Sequence, residues 1–393
     1  MQLNEVTKQF IKEHAGDDPV RLLLSAARYP EVDMPFAVEQ IQARKQIKDK
    51  LPGWYQHTDL IFPSKISAEQ CSSESTAFYK QQLVEEGQSL CDLTGGLGID
   101  SYYFSRKVRQ ITYIERFPEY CEAARQNFSV LQADNVIVKN GDATELLQDI
   151  DQVDVFYIDP ARRGGGNKRV FALQDCEPDL PRLLPQLLQK APRVIAKLSP
   201  MVDIKMTLDL LPGTTAIHVL SVKNDCKELL FVIEGEPDRI DPVIYCWNLS
   251  SDREELFTTS PEEEKRLSVG SAADIKRYLY EPNTSVLKAG AFKAVTRTGV
   301  EKLHPHSHLY TSEELVNDFP GRKFRIEEVI PFTGKTAKNL SKDIPQANIT
   351  VRNFPLTVEE LRKRTRIKEG GDIYLFATTC LANEKALVKC RKV

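Results

Sequence analysis

The sequence predicts an α/β protein built on a mostly parallel, doubly wound sheet. Between residues 89 and 236, short apolar stretches alternate with helical stretches, which is the pattern of strand–helix repeats. The segment Leu90–Asp100 places a glycine cluster between an apolar stretch and a helix, as in loops that bind nucleotide-type ligands. The turn Lys223-Asn224-Asp225 separates two further apolar stretches and predicts a closing hairpin.

Each element of this region has its own signal. The five repeating strands are predicted from short apolar runs at Ser89–Leu93, Gln110–Ile114, Asn135–Val138, Val153–Ile158 and Arg193–Leu198. The helices with the clearest pattern are Pro118–Leu131 and Leu180–Lys190, and the hairpin strands are Ala216–Val222 and Glu228–Ile233. Residues 1–85 are predicted to be helical, with Ser72 or Ser73 as the N-cap of the last helix.

Four domains are predicted from changes in this texture. They are a helical N-terminal domain (1–85), the α/β domain (86–236), a hairpin with a small α+β module (237–325) and a basic domain (326–393). From Arg322 onward the chain has sixteen Lys or Arg residues against eight Asp or Glu, although its net charge is −3. This local excess predicts a polyanion-binding domain, with a solvated surface as the alternative.

Composition also indicates the compartment. The eight cysteines form no C-x-x-C pair, which favours reduced thiols over a disulfide framework or a zinc site. No apolar stretch has the length of a signal peptide or a membrane span, so we expect a cytoplasmic protein without a membrane partner. The histidine-rich segment His304–His308 contains Pro305 and is interpreted as an exposed loop, so no metal is expected.

The ligand of the glycine loop has three interpretations. A phosphate-binding P-loop requires G-x-x-x-x-G-K-[ST], which is missing here. A dinucleotide fingerprint is matched imperfectly by Gly96 and Gly98, with Ser101 in the third glycine position. The third interpretation is S-adenosylmethionine, whose carboxylate, amino group, ribose and adenine need separate partners.

Acidic residues at successive strand ends favour S-adenosylmethionine. Asp92 ends the first strand and can receive the amino group, Glu115 ends the second and can accept from the ribose hydroxyls, and Asp142 follows the third and can meet the adenine amino group. All three fall at the sheet edge where open α/β sheets bind ligands. The fourth strand ends in Asp159-Pro160, where a side chain and a restrained backbone can hold a planar amine near a methyl donor.

These motifs resemble those of a known family. Asp92–Asp100, Glu115, Gly141–Ala143 and Asp159–Ala161 resemble motifs I to IV of class I S-adenosylmethionine-dependent methyltransferases, and Gln70–Ala77 resembles the pre-motif segment of trimethylguanosine-synthase-like enzymes. The full domain order resembles a bacterial family of presumed RNA methyltransferases with a DPARR motif, a ferredoxin-like insert and a THUMP-like C-terminal domain. The resemblance implies a Rossmann-like, seven-stranded class I methyltransferase core.

The resemblance also implies the site residues. Cofactor contacts are expected from Ser73, Glu74, Asp92, Thr94, Gly95, Gly96, Gly98, Asp100, Glu115, Asp142 and Ala143. Catalytic positions are expected at Asp159, Pro160 and Ala161, and substrate contacts at Arg162, Arg163 and Lys197. Alternatives stay open for some of them. Ser73 and Glu74 could serve only to begin a helix, and both arginines could pair with acidic groups. Lys197 could be an inward partner of Asp159 or simply a lysine at the end of a strand.

Two departures from relatives bear on the reaction. Exocyclic-amine methyltransferases carry an aromatic residue where this chain has Arg162, whose guanidinium can stack on a base or bind phosphate. Uracil-C5 chemistry needs a cysteine after the fifth strand, and Lys197–Met201 has none. The prediction is methylation of a base nitrogen in structured RNA (tRNA or rRNA). The alternatives are a non-catalytic RNA-binding protein on this scaffold, a non-RNA acceptor and, weakest, a nicotinamide oxidoreductase.

Overall fold

A computed structural model describes residues 3–162, 173–235, 241–250 and 254–393. The chain divides into two compact units. The first unit contains Met1–Thr215 and Leu229–Ile240, and the second contains Ala216–Glu228 and Asp241–Val393. The two units are described separately below.

The helices are short, and most of them lie in the first unit. They are α1 Glu5–Glu13, α2 Pro19–Leu24, α3 Met34–Ile47, α4 Pro52–Tyr55, α5 Lys65–Gln70, α6 Glu74–Gln81, α7 Ile99–Ser105, α8 Pro118–Val130, α9 Ala143–Leu146, α10 Leu180–Lys190, α11 Ile204–Leu210, α12 Pro261–Arg266, α13 Thr284–Ala289, α14 Gly334–Asp343 and α15 Val358–Thr365. Within the described ranges, none of these helices has the length and apolar character needed to span a membrane.

The strands are divided between the two units. They are β1 Ser89–Asp92, β2 Gln110–Glu115, β3 Val136–Asn140, β4 Val155–Ile158, β5 Ala161–Arg162, β6 Cys176–Glu177, β7 Arg193–Leu198, β8 Thr214–Val222, β9 Asp225–Ile233, β10 Val243–Leu249, β11 Glu254–Thr259, β12 Tyr278–Pro282, β13 Glu301–Lys302, β14 Tyr310–Ser312, β15 Gly321–Pro331, β16 Asn348–Arg352, β17 Ile373–Thr379 and β18 Lys385–Lys392.

The N-terminal region is helical as predicted. Five of its six helices begin at a polar N-cap whose side chain accepts a hydrogen bond from a backbone amide of the first turn. These N-caps are Asn4, Asp18, Asp33, Ser64 and Ser73. Trp54 and Phe62 from this region are buried in one cluster with Leu97 and Tyr103, which follow β1. The N-terminal helices therefore pack directly against the glycine loop and α7.

The sheet of the first unit has the predicted Rossmann-like topology. Its strand order is β3-β2-β1-β4-β7-β9, with all neighbours parallel except β7 and β9. All five predicted strands of the alternating region are present, and β7 has the predicted bounds. β8 and β9 are joined by the predicted turn, in which Lys223 and Asn224 have φ of 52° and 63°. The α/β fold class is confirmed, and the carboxyl ends of β1 to β4 and β7 meet at one edge.

The second unit is a mixed α+β structure. Its seven-stranded sheet has the order β13-β14-β12-β15-β18-β17-β16. Leu340 of α14 and Leu361 of α15 are buried in one cluster with Leu375 and Leu387 of that sheet. The helix α14 was not predicted from the sequence, because Ala337 and Leu340 alone supply its buried apolar residues. β15 runs without interruption through positions 325 and 326, and the four-domain division of the chain stays a prediction.

Candidate functional site

A cavity of about 280 Å³ lies at the carboxyl edge of the first unit's sheet. Its volume is close to the lower end of the range of ligand pockets, about 300–1,000 Å³. Three groups of residues line it: the glycine loop with the strand-end acids, the residues that follow β2 and β3, and the segment before α6. They include Cys71, Ser72, Asp92, Thr94, Gly95, Gly96, Gly98, Asp100, Glu115, Phe117, Tyr120, Asp142, Ala143, Asp159, Ala161 and Lys197.

The glycine loop is packed against β2, so two of its positions exclude a side chain. A Cβ atom on Gly95 would lie 2.2 Å from the ring of Tyr113, and one on Gly98 would lie 2.8 Å from Phe128. Gly96 and Gly98 also have positive φ of 56° and 82°. A Cβ on Gly96 would meet nothing nearer than 3.8 Å, so the left-handed backbone alone requires glycine there.

Asp92 lies beneath this loop with 1% of its surface exposed. Its carboxylate accepts hydrogen bonds from the Thr94 amide (3.0 Å) and the Ser101 hydroxyl (2.6 Å). Burial, with a smaller contribution from the nearby charges of Asp100 and Asp159, raises the pKa of Asp92 to about 7, and the two hydrogen bonds only partly oppose this. A cationic group bound beside Asp92 would relieve the cost of ionising this carboxyl.

Glu115 connects the end of β2 to the glycine loop. Its two oxygens accept hydrogen bonds from the amides of Gly96 and Phe117, both at 2.9 Å. A carboxylate has about four lone-pair positions, so it can accept further hydrogen bonds from a ligand. Phe117 is 44% exposed and lines the cavity together with Tyr120. The end of β2 therefore combines an acceptor for hydroxyl groups with an exposed aromatic surface.

Asp142 follows β3 and is the N-cap of the short helix α9. It accepts hydrogen bonds from the amide (2.8 Å) and the hydroxyl (2.5 Å) of Thr144. The hydroxyl bond, followed by the amide bond, holds the pKa of the Asp142 carboxyl below its ordinary value despite some burial. Asp142 and Ala143 both line the cavity, so a charged carboxylate and the first turn of a helix face a ligand there.

Asp159 is held through both its main chain and its side chain. Its amide donates a hydrogen bond to the Thr94 hydroxyl (2.7 Å), and its Oδ2 lies 2.6 Å from Lys197 Nζ. Its side chain remains 40% exposed, whereas that of Lys197 is 12% exposed. Pro160 is buried, and Ala161 is exposed and lines the cavity. The carboxylate is thereby fixed in direction but still accessible.

Asp100 is the centre of a buried ionic cluster behind Asp159. Lys80 Nζ lies 3.0 Å from Oδ1, and Oδ2 accepts hydrogen bonds from Tyr157 (2.6 Å) and Ser72 (2.8 Å). Lys197 Nζ is 3.8 Å from the same Oδ2. Burial opposes ionisation of Asp100, but the two lysine charges and the tyrosine hydrogen bond outweigh it and hold its pKa below the ordinary value.

Ser73 and Glu74 are not among the residues that line the cavity, and both have contacts within the fold. Ser73 is the N-cap of α6. Glu74 accepts hydrogen bonds from the Gly53 amide and the Tyr103 hydroxyl, both at 2.8 Å. The neighbouring residues Cys71 and Ser72 line the cavity instead. Cofactor contacts of Ser73 and Glu74 stay predictions, and the geometry favours Ser72 as the residue of this segment that reaches the site.

Of the three predicted substrate-binding residues, only Lys197 has a described side chain. Lys197 contacts Asp159, which was one of its two predicted roles. The main chain of Arg162 pairs with Cys176 in the small β5–β6 sheet. Arg163 lies outside the described residues. Substrate contact by the two arginines therefore stays a prediction.

The histidine-rich segment of the second unit is held by hydrogen bonds within its own fold. Asn353 donates to His304 Nδ1 (3.1 Å), and the Ser307 hydroxyl donates to the Thr379 carbonyl (2.6 Å). The His308 ring stacks on Phe292 with centroids 3.8 Å apart. Among the residues that the structure describes, no group of three or more His, Cys, Asp or Glu side chains is placed to hold a metal ion.

The cavity and cluster residues that were not predicted as site residues include Ser72, Lys80, Phe117 and Tyr120. Phe117 has a recognisable signal, because it is an aromatic residue two positions after the strand-end acid Glu115. Lys80 has none, because in sequence it is one lysine of a mixed helix. Its partner Asp100 is distant in sequence and is recognised only when α6 packs on α7.

Comparisons with known proteins agree with this arrangement. Family models match residues 278–320 as a ferredoxin-like domain and residues 321–392 as a THUMP-like domain. The crystal structure of a presumed methyltransferase from Porphyromonas gingivalis W83 matches with 39% sequence identity and a TM-score of 0.90, covering 100% of both chains. A comparison with curated proteins found no match.

Weaker structural likenesses cover only part of the chain. A presumed methyltransferase from Escherichia coli is 19% identical, with a TM-score of 0.31, over 42% of this chain and 86% of its own. A presumed methyltransferase from Streptococcus mutans, solved in complex with S-adenosylhomocysteine, is 12% identical, with a TM-score of 0.32, over 41% of this chain and 96% of its own. Likenesses of this size do not bear on the function of this chain.

Proposed function

Because the chain belongs to the family of the Porphyromonas gingivalis protein, a presumed methyltransferase, we propose that it transfers the methyl group of S-adenosylmethionine to a base nitrogen in structured RNA. The predicted resemblance to a family with ferredoxin-like and THUMP-like domains is confirmed. The observation that carries the proposal is the convergence of four strand-end acids, Asp92, Glu115, Asp142 and Asp159, on one cavity.

The acidic side chains that line the cavity suit three parts of S-adenosylmethionine, which are its amino group, its ribose and its adenine. When bound, this cofactor supplies an electrophilic methyl group on a sulfonium centre. Asp92 is buried, and its pKa is raised to about 7. It would hold the amino group, because a bound cation favours the ionised form of a carboxyl. Glu115 would accept from the ribose hydroxyls, with Phe117 against the adenine ring. Asp142 and the Ala143 amide would meet the polar edge of the adenine.

The glycine loop supports the same assignment. Gly96 directs its amide to Glu115, and its carbonyl accepts a hydrogen bond from the Tyr113 hydroxyl at 2.5 Å. The amide and the carbonyl of Gly96 are thereby both used within the fold, and its left-handed backbone lets a ligand approach closely. The loop lacks the lysine and hydroxyl of a P-loop, so an open surface beside Glu115, rather than a phosphate cradle, forms this wall.

On the acceptor side, Asp159 would orient the amine. Its carboxylate is exposed to the cavity, and Lys197 and Thr94 fix its direction. A hydrogen bond from an amino group to this carboxylate, together with one to the Pro160 carbonyl, would aim the nitrogen lone pair at the methyl group. Such placement accounts for much of the rate enhancement in transfer reactions that need no covalent intermediate.

The second unit supports RNA as the acceptor. Residues 321–392 match a THUMP-like domain, and the segment from Arg322 onward carries eight more basic than acidic side chains. Lysine and arginine contacts to phosphate would hold a folded RNA without reading its sequence. We assign tRNA or rRNA as the substrate class on this basis.

Mass spectrometry of modified nucleosides in tRNA and rRNA tests the proposal. A strain lacking the gene is complemented with the wild-type chain, with Asp159→Ala, or with Asp151→Ala, an exposed acid outside the cavity lining, as the control. We expect one N-methylated nucleoside to be lost on deletion and restored by the wild type and Asp151→Ala but not by Asp159→Ala. Unchanged methylated nucleosides on deletion, or full restoration by Asp159→Ala at equal protein levels, would contradict it.

A further inference from the structure

Lys80 is a charged side chain with no exposed surface. It lies on α6, among the N-terminal helices, and its side chain is 0% accessible. Its Nζ contacts Asp100 Oδ1 at 3.0 Å and donates a hydrogen bond to the Ser72 hydroxyl at 2.9 Å. A buried ammonium is costly unless it is paired, so this lysine must serve the anion it contacts.

Lys197 is placed between two competing carboxylates. Its Nζ lies 2.6 Å from Asp159 Oδ2 and 3.8 Å from Asp100 Oδ2, and it donates a hydrogen bond to Ser72 at 3.2 Å. The direct contact is with the accessible carboxylate, although Asp100 is the more deeply buried anion and would gain more from a cation. Something must therefore satisfy Asp100 independently of Lys197.

We propose that Lys80 is a positioning residue for methyl transfer, which neutralises Asp100 so that Lys197 remains on Asp159. This inference rests on the proposed function, because Asp159 is the group that orients the acceptor there. The chain of contacts runs from Lys80 through Asp100 to Lys197 and then to Asp159. Lys80 touches neither cofactor nor acceptor in this account.

Charge balance explains why two lysines are needed. Among the residues that the structure describes, the ion pairs of this cluster join two carboxylates, Asp100 and Asp159, to two ammonium groups, Lys80 and Lys197, so each of these anions can have its own cation. Without Lys80, the buried Asp100 would keep its two hydroxyl donors and the 3.8 Å contact with Lys197. Hydroxyl donors stabilise a carboxylate less than a direct ion pair does. Lys197 would then be drawn the short distance to Asp100, and Asp159 would lose its fixed direction.

Crystal structures of the full chain, with and without S-adenosylhomocysteine, test the allocation of Lys197. In Lys80→Met we expect the Lys197–Asp159 distance to lengthen from 2.6 Å to beyond about 4 Å, the limit of an ion pair, while the Lys197–Asp100 distance shortens. In Lys80→Met/Asp100→Asn the competing anion is gone, and Lys197 should stay on Asp159. Lys197 remaining on Asp159 in the single variant would overturn the proposal.

Two further variants serve as a replacement for Lys80→Met and as a control. Lys80→Gln keeps a hydrogen-bond donor for Ser72 but removes the charge, and we expect the same displacement of Lys197 if Lys80→Met does not fold. Lys190→Met is the matched control, since Lys190 Nζ donates only to the carbonyls of Leu147, Gln148 and Ile150 in the described part of the chain. Displacement of Lys197 in this control would show that loss of any partly buried lysine suffices, against the proposal.

A methyl-transfer assay separates this inference from the proposed function. With labelled S-adenosylmethionine and total RNA from the deletion strain, Lys80→Met should lose at least about tenfold in rate, whereas the control Lys190→Met should keep the wild-type rate. Affinity for S-adenosylhomocysteine should change less than about twofold, because Asp92 and Glu115 are untouched. Wild-type chain without cofactor affinity would contradict the proposed function, while the Lys197 position still decides the role of Lys80.

Discussion

Two buried acids, one in each unit, are each flanked by two basic side chains. Asp100 in the first unit is paired with Lys80 and lies near Lys197, and Glu281 in the second is paired with Arg322 and Arg352. The lysine side chains are 0% and 12% exposed, whereas the arginine side chains are 35% and 39% exposed. Equal charge patterns thus differ in whether water can reach the cations.

The Glu281 pair and the Asp100 cluster also differ in what they connect. Glu281 connects β12 to β15 and β16, and both of its arginines can be hydrated if the acid is removed. Asp100 lines the cavity, and one of its lysines also reaches the accessible Asp159. The Asp100 cluster therefore differs from the Glu281 pair in that one of its cations also contacts a second, accessible carboxylate.

The largest expected effect concerns stability in matched variants of the two acids. Asp100→Asn removes the anion that the buried Lys80 contacts and should lower the free energy of unfolding by about 3–5 kcal/mol. Glu281→Gln leaves cations that water can reach and should cost only about 1–2 kcal/mol. Urea denaturation of both variants measures this. Equal losses would show that the exposure of the cations does not distinguish the two pairs.

Within the first unit, the pKa of Asp92 is raised whereas that of Asp100 is lowered, and a pH titration of cofactor binding tests the role of Asp92. Asp92, with its pKa raised to about 7, is mostly protonated at pH 6 and must lose that proton to receive an ammonium group. Affinity for S-adenosylhomocysteine should therefore rise about tenfold from pH 6 to pH 8 and level off above the pKa.

The variant Asp92→Asn supplies the control for this titration. It cannot ionise, so calorimetry should give weak binding that is nearly independent of pH in the same range. Wild-type affinity that falls as the pH rises would contradict the assigned role of Asp92, since the sign follows from a carboxyl whose ionised form binds the ligand.

The smallest expected effect concerns the exposed aromatic residue at the end of β2. Phe117→Ala should weaken binding of S-adenosylhomocysteine about fivefold, since stacking of a base on an aromatic side chain contributes on the order of 1 kcal/mol or more. Phe78→Ala is the control, because Phe78 is 53% exposed and does not line the cavity. Calorimetry with equal losses in both variants would argue against adenine at this position.

The sequence allows the parallel sheet and the strand-end acids to be predicted, because both depend on local patterns. Arg193–Leu198 was predicted with its observed bounds, since alternation of apolar strands and helices is visible in the chain. Asp92, Glu115, Asp142 and Asp159 follow apolar runs, and topology alone brings them to one edge.

What could not be predicted depends on packing between distant segments. Lys80 is recognised as an ion-pair partner only when α6 lies against α7. The neighbouring serines have similar surroundings in sequence, but Ser72 donates to Asp100 and Ser73 caps α6. The helix α14 was missed because it has few apolar positions and gains its stability from the cluster around Leu375. Periodicity carries no information on any of these contacts.

Calorimetric titration of the full-length wild-type chain with S-adenosylhomocysteine tests whether the cavity binds S-adenosylmethionine. We expect one cofactor per chain, with affinity reduced about thirtyfold or more in Glu115→Ala, because hydrogen bonds to charged groups contribute about 1.5–3 kcal/mol. Glu119→Ala, an exposed acid on α8, should bind like the wild type. Binding of NAD in place of S-adenosylhomocysteine, or unchanged affinity in Glu115→Ala, would contradict the account.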